Sequence, residues 1–575
     1  MTLLDRRVTP AAARGPAADR RASVGRTLGW AAAAGVPLAF LGVFFAWPVA
    51  EIVGRGFVTD GVLDLSGVGE VLGRPRTWRI LGQTLTQAAL GTAGSLLLGI
   101  PGAYLLHRCR FPGRDALRAV VTVPFVLPTV VVGVAFRSLL VDGGMLGGLG
   151  LDGTLAAIVL ALVFFNYAVV VRTVGGLWER LDPRAEQAAR SLGASPWRAF
   201  RTVTLPALAP AIASAASLTF LFCATAFGTV LVLGGRRFGT VETEIWVQTT
   251  QYLDLRAAAV LSVLQLVVVA GALAAAARAR ARTERALDLG EPVGTAHPVR
   301  WRDPVDVTAV VVTAVTVVGL LALPLVNLVV RSLRTPTGWG LDHYAALALP
   351  ADTLRVTPLA AAVTSLRVAL DATVIALVVG GLVALVVSRR PRRPVLRRAV
   401  GGLDAVMMLP LGVSAVTVGF GFLVAMDAPF GLDVDLRTSG VLVPVAQAVV
   451  AVPLVVRTVL PVLRAVDPRL REVAATLGAP PGRVLRTVDL AMAVRSLGLA
   501  LGLAFAASLG EFGATSFLAR PENPTLPVVV FRLIGRPGAE SYGTALAAAV
   551  LLAALTAAVV AVCERLRTPG VGGSW

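Results

Sequence analysis

The polar chemistry of this chain is concentrated in one element that occurs twice. The segments DPRAEQAARSLGASPWRAFRTVTLP, from Asp182 to Pro206, and DPRLREVAATLGAPPGRVLRTVDLA, from Asp467 to Ala491, lie 285 residues apart and share 13 of 25 positions without a gap. Both are rich in arginine and interrupt an otherwise apolar chain. Arginines in a polar segment are suited to binding a partner protein through charge and shape complementarity. The duplication therefore predicts a surface that a partner contacts twice.

The repeated element contains two helix starts separated by a glycine. Asp182 followed by a proline is typical of an N-cap and first helical turn, because aspartate accepts a free backbone N–H and proline lacks one. Gly193 suits the left-handed residue that commonly ends a helix. A second short helix is expected to start at Ser195 and to end before Leu205. The second copy repeats these signals at Asp467, Gly478 and Pro481.

The second short helix has an apolar side beside a basic side. Phe200 and Val203 are three residues apart on one side, and Arg198 and Arg201 lie on another. Such a ridge either lies in a groove of a partner protein or packs on the chain's own spans while the arginines contact lipid head groups. The presence of two copies favours a two-fold partner. The pattern recurs at Leu485, Val488, Arg483 and Arg486.

The composition around these elements is that of a membrane protein. Hydrophobic residues make up 56% of the chain, charged residues only 15%, and the mean hydropathy is +0.77. A water-soluble surface does not tolerate these values. We expect an all-α, polytopic fold whose first span is retained as an anchor helix. Runs of about 20 apolar residues predict spans near 29–53, 80–106, 119–140, 154–177, 207–234, 257–277, 305–331, 358–387, 399–426, 439–463, 493–518 and 543–562.

The net charge of +19 reflects membrane topology rather than nucleic-acid binding. Every basic residue other than histidine is arginine, and arginines cluster in every second loop. The positive-inside rule places these loops, both termini and both copies of the repeated element in the cytoplasm of a multi-pass protein of the cell membrane. The main clusters precede the first span and follow the second, sixth and eighth, at 6–26, 108–118, 278–285 and 389–398.

The repetition extends beyond the polar element. The string VVRTV at 170–174 recurs at 455–459, and with a shift of one residue Pro124 matches Pro410. Two halves of six spans with the same topology are therefore expected, related by an axis along the membrane normal. The predicted division is an N-terminal cytoplasmic tail, a first half, a linker, a second half and a C-terminal tail, at 1–28, 29–277, 278–304, 305–562 and 563–575.

The sequence lacks the residue groups of an enzyme. It contains no GxxxxGK[ST] phosphate-binding loop and no nucleophile or carboxylate cluster supported by a base. The three cysteines and three histidines are scattered, with no metal-ligand spacing. We expect no catalytic residues, no metal site and no cofactor bound by this chain.

Glu511 is the most unusual charge in a predicted span. An ionisable side chain within an apolar span is costly and usually faces protein or water. One interpretation is that it lines a solute path and favours cations; the other is that local backbone N–H groups cap it. Phe512 and Gly513 follow it, and Phe227 and Gly228 are their counterparts at an offset of 285. These five residues are our candidates for a solute pathway.

The spacing of the repeated element resembles a known family. Glu/Ala/Ala, three residues, a glycine, and thirteen further positions to a proline is similar to the cytoplasmic loop of the membrane subunits of binding-protein-dependent ABC importers. The resemblance implies that the helix after the glycine is a coupling helix, seated in a cleft of an ATP-hydrolysing subunit. The matching positions are Glu186, Gln187, Ala188, Ala189, Gly193, Trp197, Phe200 and Pro206, and in the second copy Glu472, Ala474, Ala475, Gly478, Leu485 and Leu490.

The resemblance also implies partners and substrates. Two ATPase subunits would consume ATP outside this chain, and an external solute-binding protein would deliver the solute. FGTVLVLGG after the fifth span and SLGEFGATSFL after the eleventh resemble the fused permeases for ferric iron and thiamine, whereas GEFGAT is also similar to sulfate and molybdate permeases. The alternatives are a secondary transporter of twelve spans driven by an ion gradient, and a membrane scaffold or export component.

Overall fold

The computed structural model describes residues 30, 32–59, 61–235, 238–283, 296–336, 338–350, 354–389 and 394–565. Within them the chain is almost entirely helical, as expected. The first half contains α1 (Ala32–Phe57), α2 (Ser66–Gly73), α3 (Pro75–Arg108), α4 (Arg114–Val126), α5 (Thr129–Leu140), α6 (Leu155–Trp178), α7 (Arg184–Ser191), α8 (Pro196–Ala224), α9 (Gly228–Leu233), α10 (Val241–Thr250) and α11 (Leu255–Thr283).

The second half repeats this order. It contains α12 (Pro304–Ser332), α13 (Asp342–Ala345), α14 (Pro358–Val387), α15 (Pro394–Met408), α16 (Ala415–Ala425), α17 (Leu442–Ala465), α18 (Pro468–Thr476), α19 (Pro481–Val494), α20 (Ser496–Leu509), α21 (Thr515–Leu518), α22 (Leu526–Ile534) and α23 (Ala539–Arg565). Three two-stranded pairs join β1 (Val58–Thr59) to β2 (Val62–Leu63), β3 (Cys109–Arg110) to β4 (His297–Pro298), and β5 (Arg334–Thr335) to β6 (Gly338–Trp339).

The number of straight spans is smaller than the sequence predicted. Among the described residues nine helices are long and apolar enough to cross a membrane, or eleven if each of two bent helix pairs counts as one span. The third predicted span of each half is broken: α4 and α5 meet at 101°, and a turn at Leu409–Gly412 separates α15 from α16. Prolines 128 and 410 lie at these breaks, where a missing N–H interrupts the helical ladder.

The expectation that the second short helix ends before Leu205 is wrong. The helix that starts at Pro196 continues to Ala224 through a wide π-turn over Phe200–Thr204. In that turn the N–H of Leu205 reaches the carbonyl of Phe200, so the following proline does not end the helix. The second half has the same π-turn at Leu485–Leu490, although an alanine replaces the proline there. The wide turn therefore belongs to the repeat and does not depend on proline.

Two helices continue past predicted segment boundaries, and the division itself stays a prediction. Helix α11 extends to Thr283, beyond the predicted start of the linker, and α23 extends to Arg565, beyond the predicted start of the C-terminal tail. The predicted N-terminal tail, the linker residues 284–295 and the tail residues 566–575 lie outside the described residues.

The two halves exchange their first helices. Helix α1 packs on α16 of the second half, where a Cβ on Gly421 would lie 3.0 Å from the Pro48 Cβ. Reciprocally, α12 packs on α5 of the first half, where the Asn327 amide donates to the Ser138 hydroxyl at 2.9 Å. The largest buried cluster contains residues of both halves. The fused chain therefore has one shared core across its middle.

Candidate functional site

The two copies of the repeated element fold into the same bend. In the first bend (Asp182–Pro206) the Asp182 carboxylate accepts the N–H of Arg184 at 2.9 Å, and α7 ends at Gly193, which has φ +87°. The next residue, Ala194, donates its N–H to the Ala189 carbonyl at 3.1 Å. This 6→1 hydrogen bond is that of a Schellman C-cap. The glycine is required because L side chains rarely adopt this backbone conformation.

The second bend (Asp467–Ala491) reproduces this geometry closely. Asp467 accepts the N–H of Arg469 at 2.9 Å, Gly478 has φ +79°, and Ala479 donates its N–H to the Ala474 carbonyl at 3.0 Å. The caps and the left-handed glycine predicted from the sequence are therefore present at both places. No described atom lies within 4 Å of a Cβ built on either glycine, so both bends project from the rest of the chain.

Large apolar side chains at the bends have no cover. Leu192 is 89% exposed and Trp197 66% in the first bend, and Leu477 is 81% exposed in the second. Leu192 and Leu477 occupy equivalent positions, immediately before the two glycines. Exposed apolar residues grouped in a polar loop indicate a protein contact surface. The sequence signal was available, because leucine precedes the glycine in both copies.

The predicted apolar ridge faces the chain itself instead. Phe200 and Val203 are half-buried, and the Phe200 ring stacks on Trp178 at a centroid distance of 6.1 Å. Trp197 also stacks on the Phe200 ring, at a centroid distance of 5.7 Å, and remains exposed. Of the two interpretations of the ridge, packing on the chain's own span is the one that the geometry supports. The exposed apolar side chains at the bends are instead the leucine before each glycine and Trp197.

The other predicted residues of the bends differ in exposure. Gln187 and Glu472, at equivalent positions, are both exposed, whereas Glu186 is half-buried and accepts the Thr204 hydroxyl at 2.8 Å. Glu186 therefore holds the bend together. Half-buried positions also include Ala189, Ala474 and Leu485, while the exposed ones include Ala188, Pro206, Ala475 and Leu490.

The second bend is anchored by a buried ion pair that the sequence did not reveal. Asp489 is 1% exposed; Arg471 donates to it at 2.8 Å and Arg389, at the end of α14, at 2.7 Å. At an offset of 285, Arg471 and Asp489 correspond to Glu186 and Thr204. The same two positions thus hold both bends, through one neutral hydroxyl in the first and through ion pairs in the second.

An ion pair with reversed charges supports the span before each bend. Arg118 donates to Glu179 at 2.5 Å in the first half, and Arg464 donates to Asp404 at 3.2 Å in the second. Arg118 and Asp404 differ by 286 positions, and Glu179 and Arg464 by 285. Burial would raise the pKa of Glu179, but hydrogen bonds from His107 and Arg118 outweigh it and hold that pKa below its usual value.

This reversal gives a first prediction. Arg118→Glu should lower both the level of membrane-inserted protein and the melting temperature, since it places two carboxylates in contact in a partly buried position. Adding Glu179→Arg recreates the polarity of the second half and should restore most of both losses. A double-mutant cycle on the unfolding free energy measures the coupling, expected to be about 1–3 kcal/mol. If the loss of unfolding free energy in the double variant equals the sum of the losses in the two single variants, Arg118 and Glu179 are not coupled.

The five candidate pathway residues meet where the halves join. The rings of Phe227 and Phe512 stack with centroids 5.4 Å apart and an interplanar angle of 17°. Phe512 also contacts Phe531 at 5.3 Å, and Phe531 meets Trp246 edge-on at 5.8 Å. At the offset of 285, Phe227 corresponds to Phe512 and Trp246 to Phe531. These four rings, the central aromatic contact, therefore lie at the pseudo-symmetry axis, where the two halves meet.

Both predicted pathway glycines allow this close approach. A Cβ on Gly228 would lie 2.6 Å from the Thr129 hydroxyl oxygen and 3.2 Å from the Phe512 ring. A Cβ on Gly513 would lie 2.9 Å from the Ala415 Cβ. Each glycine packs against the first residues of α5 or α16, immediately after the break in the third span. The breaks therefore place two helix starts beside the central aromatic contact.

The central aromatic contact leads to a second prediction. Replacing both Phe227 and Phe512 by alanine removes the stacked pair between the halves, so liposomes that contain this variant should leak small solutes. The edge-to-face pair of Phe136 and Phe164, with centroids 5.7 Å apart within the first half, provides the control. Phe136→Ala should reduce stability by about 3–5 kcal/mol without causing a leak. Equal leak from both variants would show that the central rings only fill space.

Glu511 is capped by its own chain. Its carboxylate accepts the N–H groups of Ala514 at 2.7 Å and Thr515 at 3.0 Å, and also the Thr515 hydroxyl. The residue is 9% exposed. This geometry is that of the second interpretation given above, a carboxylate satisfied by local donors. A role in the solute path stays a prediction.

A second buried carboxylate was missed. Glu242 in α10 is fully buried and accepts the Ser414 hydroxyl at 2.8 Å and the Gln265 amide at 3.1 Å. Ser414 also caps the start of α16, so Glu242 ties the first half to the break in the second. The segment VETEIW lies between two predicted spans and was therefore not assigned a role. Its two glutamates, in a largely apolar region, were the sequence signal for a buried polar contact.

The comparisons with known proteins agree with these features. Residues 95–283, from within α3 to the end of α11, match the family model described as the binding-protein-dependent transport system inner membrane component. The thiamine transport system permease protein of Escherichia coli strain K12 is 29% identical over 474 residues, which cover 80% of this chain and 84% of that protein. Over residues 95–283 the chain therefore matches a family of binding-protein-dependent transport permeases, and over most of its length it is similar to permease subunits, which are transport components.

The similarity to other permeases extends over most of the chain. A probable ABC transporter permease protein of Sinorhizobium fredii is 25% identical over 526 residues, covering 87% of this chain and 90% of that protein. The sulfate transport system permease protein of Escherichia coli strain K12 is 35% identical, but over 172 residues, 29% of this chain and 62% of that protein. The long matches extend across both halves, as the sequence resemblance implied.

Proposed function

We propose that this chain is the complete membrane path of an ATP-driven importer, with both termini and both bends in the cytoplasm. One ATPase subunit docks on each bend, and a solute-binding protein delivers the solute from outside. The observation that carries this proposal is the pair of equivalent, uncovered leucines, Leu192 and Leu477, beside left-handed glycines in a chain of this permease family.

The helices after the bends explain how such docking could control the path. Helix α8 extends from Pro196 to Ala224 and ends three residues before Phe227. At 1.5 Å per residue its 29 residues measure about 43 Å. In the second half, α19 and α20 connect Pro481 to Leu509, three residues before Phe512. Movement of the two docked subunits is therefore transmitted along α8 and along the bent pair α19 and α20 to the central aromatic contact.

The two halves should respond to the ATPases unequally. The first bend is held by the hydrogen bond from the neutral Thr204 hydroxyl to Glu186, whereas the second is held by the ion pairs of Asp489 with two arginines. Helices α19 and α20 also meet at 57°, so the second connection has a bend within it. We infer that docking shifts the first bend more easily than the second.

Co-purification tests the assignment of partners. The chain should purify with two copies of an ATP-hydrolysing subunit per copy, and the purified chain alone should hydrolyse no ATP. Leu192→Asp with Leu477→Asp should release the ATPase, because charge replaces apolar contact at both bends. Val473→Asp is the control, since Val473 is 57% exposed but lies in the helix before the glycine. Retention of the ATPase by the double leucine variant would overturn the docking surface.

For the solute, thiamine is our first proposal and ferric iron the second. Thiamine is supported by the extent of the likeness to thiamine permeases, which reaches across both halves. Sulfate or molybdate remains the alternative, because the shorter match is to a sulfate permease. Binding of thiamine, ferric iron, sulfate and molybdate to the cognate solute-binding protein, measured by calorimetry, distinguishes them. Binding of an oxyanion alone would overturn the proposal of thiamine or iron.

A further inference from the structure

A cysteine, a histidine and an aspartate meet at the seam between the halves. Cys109 follows α3, His297 lies in the part of the linker that the structure describes, and Asp306 is in the first turn of α12. Strands β3 and β4 pair in parallel and place Cys109 opposite His297. One ligand atom from each of the three residues lies within 4.8 Å of the others. Sequence spacing could not indicate this group, because 188 residues separate Cys109 from His297.

The buried carboxylate of Asp306 has no arginine partner among the described residues. Asp306 is 0% exposed, and its ion-pair partner there is His297, whose Nδ1 lies 3.8 Å from the Asp306 Oδ2. Its oxygens accept the Tyr104 hydroxyl at 2.7 Å and the Arg300 N–H at 2.8 Å. Asp489, which is equally buried, has two arginine partners. The N-terminus of α12 supplies only partial positive charge, so no arginine balances the Asp306 carboxylate as two arginines balance Asp489.

The orientation of His297 fits a metal ligand. Its Nδ1 lies 3.0 Å from the Pro298 carbonyl oxygen, while Nε2 faces the Tyr104 hydroxyl at 3.3 Å. With Nε2 as the ligand, Nδ1–H donates to the carbonyl, which is how metal-binding histidines are usually oriented. His297 and Tyr104 also line a cavity of ≈ 530 Å³ beside the first bend. This cavity gives an ion a path to the buried residues.

We propose that Cys109, His297 and Asp306 bind a single divalent transition-metal ion, with Zn²⁺ as the best fit, at the seam of the two halves. Thiolate, imidazole and carboxylate together are a ligand set that Zn²⁺ accepts, and three protein ligands leave one position for water. Tyr104 then supports the bound carboxylate from outside the ligand set. The ion fixes the end of α3 to the start of α12, close to the first bend. It is independent of which solute the protein carries.

Cobalt binding tests this site in the purified, full-length chain. The protein is prepared in detergent with an affinity tag that lacks histidine, stripped with chelator, and titrated with Co²⁺ alone. We expect one equivalent to bind with a thiolate-to-cobalt charge-transfer band, and Zn²⁺ to displace it. Cys109→Ser should abolish the band. Cys223→Ser with Cys563→Ser should retain it, since those buried thiols belong to no such group among the described residues.

Two further variants separate a ligand from a packing residue. His297→Ala should weaken Co²⁺ binding by at least about 100-fold, and Tyr104→Phe by about 10-fold, as expected for a residue that supports a ligand. Their melting temperatures without metal should stay close to that of the parent chain. Absence of a bound equivalent in the parent chain would overturn the proposal. So would a charge-transfer band that persists after Cys109→Ser or an affinity unchanged by His297→Ala.

Discussion

Replacing Gly193 and Gly478 together by valine is expected to abolish ATP-driven uptake while leaving membrane insertion intact. Both glycines have left-handed backbones, with φ +87° and +79°. An L residue in this conformation loses about 1–2 kcal/mol per position, and a branched Cβ makes the loss larger. A Cβ at either place meets no other atom within 4 Å, so the effect arises from the backbone of the bend alone. Uptake in proteoliposomes and the level of membrane-inserted protein are the two measurements.

Asparagine at the same two positions is the matched control. It adds a larger side chain than alanine but tolerates the left-handed conformation, and it is the residue that most often replaces glycine at helix ends. The asparagine double variant should therefore keep most of the uptake. Equal loss in both double variants would mean that bulk at the bend, and not its backbone conformation, matters. Full uptake by the valine variant would contradict the proposed coupling.

Asp489→Asn in the second half is expected to lower stability and uptake more than the matched substitution in the first half, Glu186→Gln. The substitution keeps shape but removes the charge that Arg389 and Arg471 share in a position that is 1% exposed. Breaking a buried ion pair from one side leaves its partners uncompensated, at about 3–5 kcal/mol. Because the two arginines are partly exposed, we expect the lower end of that range. The melting temperature and ATP-driven uptake should both fall.

Glu186→Gln provides the comparison in the first half. It keeps an oxygen for the Thr204 hydroxyl, so the loss should not exceed about 1 kcal/mol. A cycle of Asp489→Asn with Arg389→Gln tests the pair itself, since removing both charges should restore part of the stability. If Asp489→Asn and Glu186→Gln have equal effects, the two bends are anchored equally and the proposed inequality of the halves is wrong.

Local sequence signals predicted the bends well. Asp-Pro and a glycine at a fixed spacing specify caps and a left-handed residue through interactions of neighbouring residues, and both copies fold accordingly. The side of the second helix that packs inward was not predictable in the same way. Phe200 stacks on Trp178, a residue of the preceding span, and a three-residue spacing cannot show which side meets that span.

Contacts between distant parts of the chain could not be predicted from the sequence. The repetition predicted Phe227 and Phe512 as equivalent residues, but it could not show that their rings stack on each other across the two halves. Glu242 and Asp489 were missed because their partners, Ser414 and Arg389, lie 172 and 100 residues away. Helix α8 stays continuous because the hydrogen bonds of the π-turn are shifted by one residue. The proline at position 206 favoured a helix end there, so the sequence did not predict this continuity.

Uptake by the reconstituted chain is the most direct test of the central claim. Proteoliposomes containing the chain, its ATPase subunits and the solute-binding protein should accumulate thiamine only with ATP, and should do so when ionophores collapse all ion gradients. Omitting the ATPase or the binding protein should abolish uptake. Accumulation driven by an ion gradient with the chain alone would contradict the account and identify a secondary transporter.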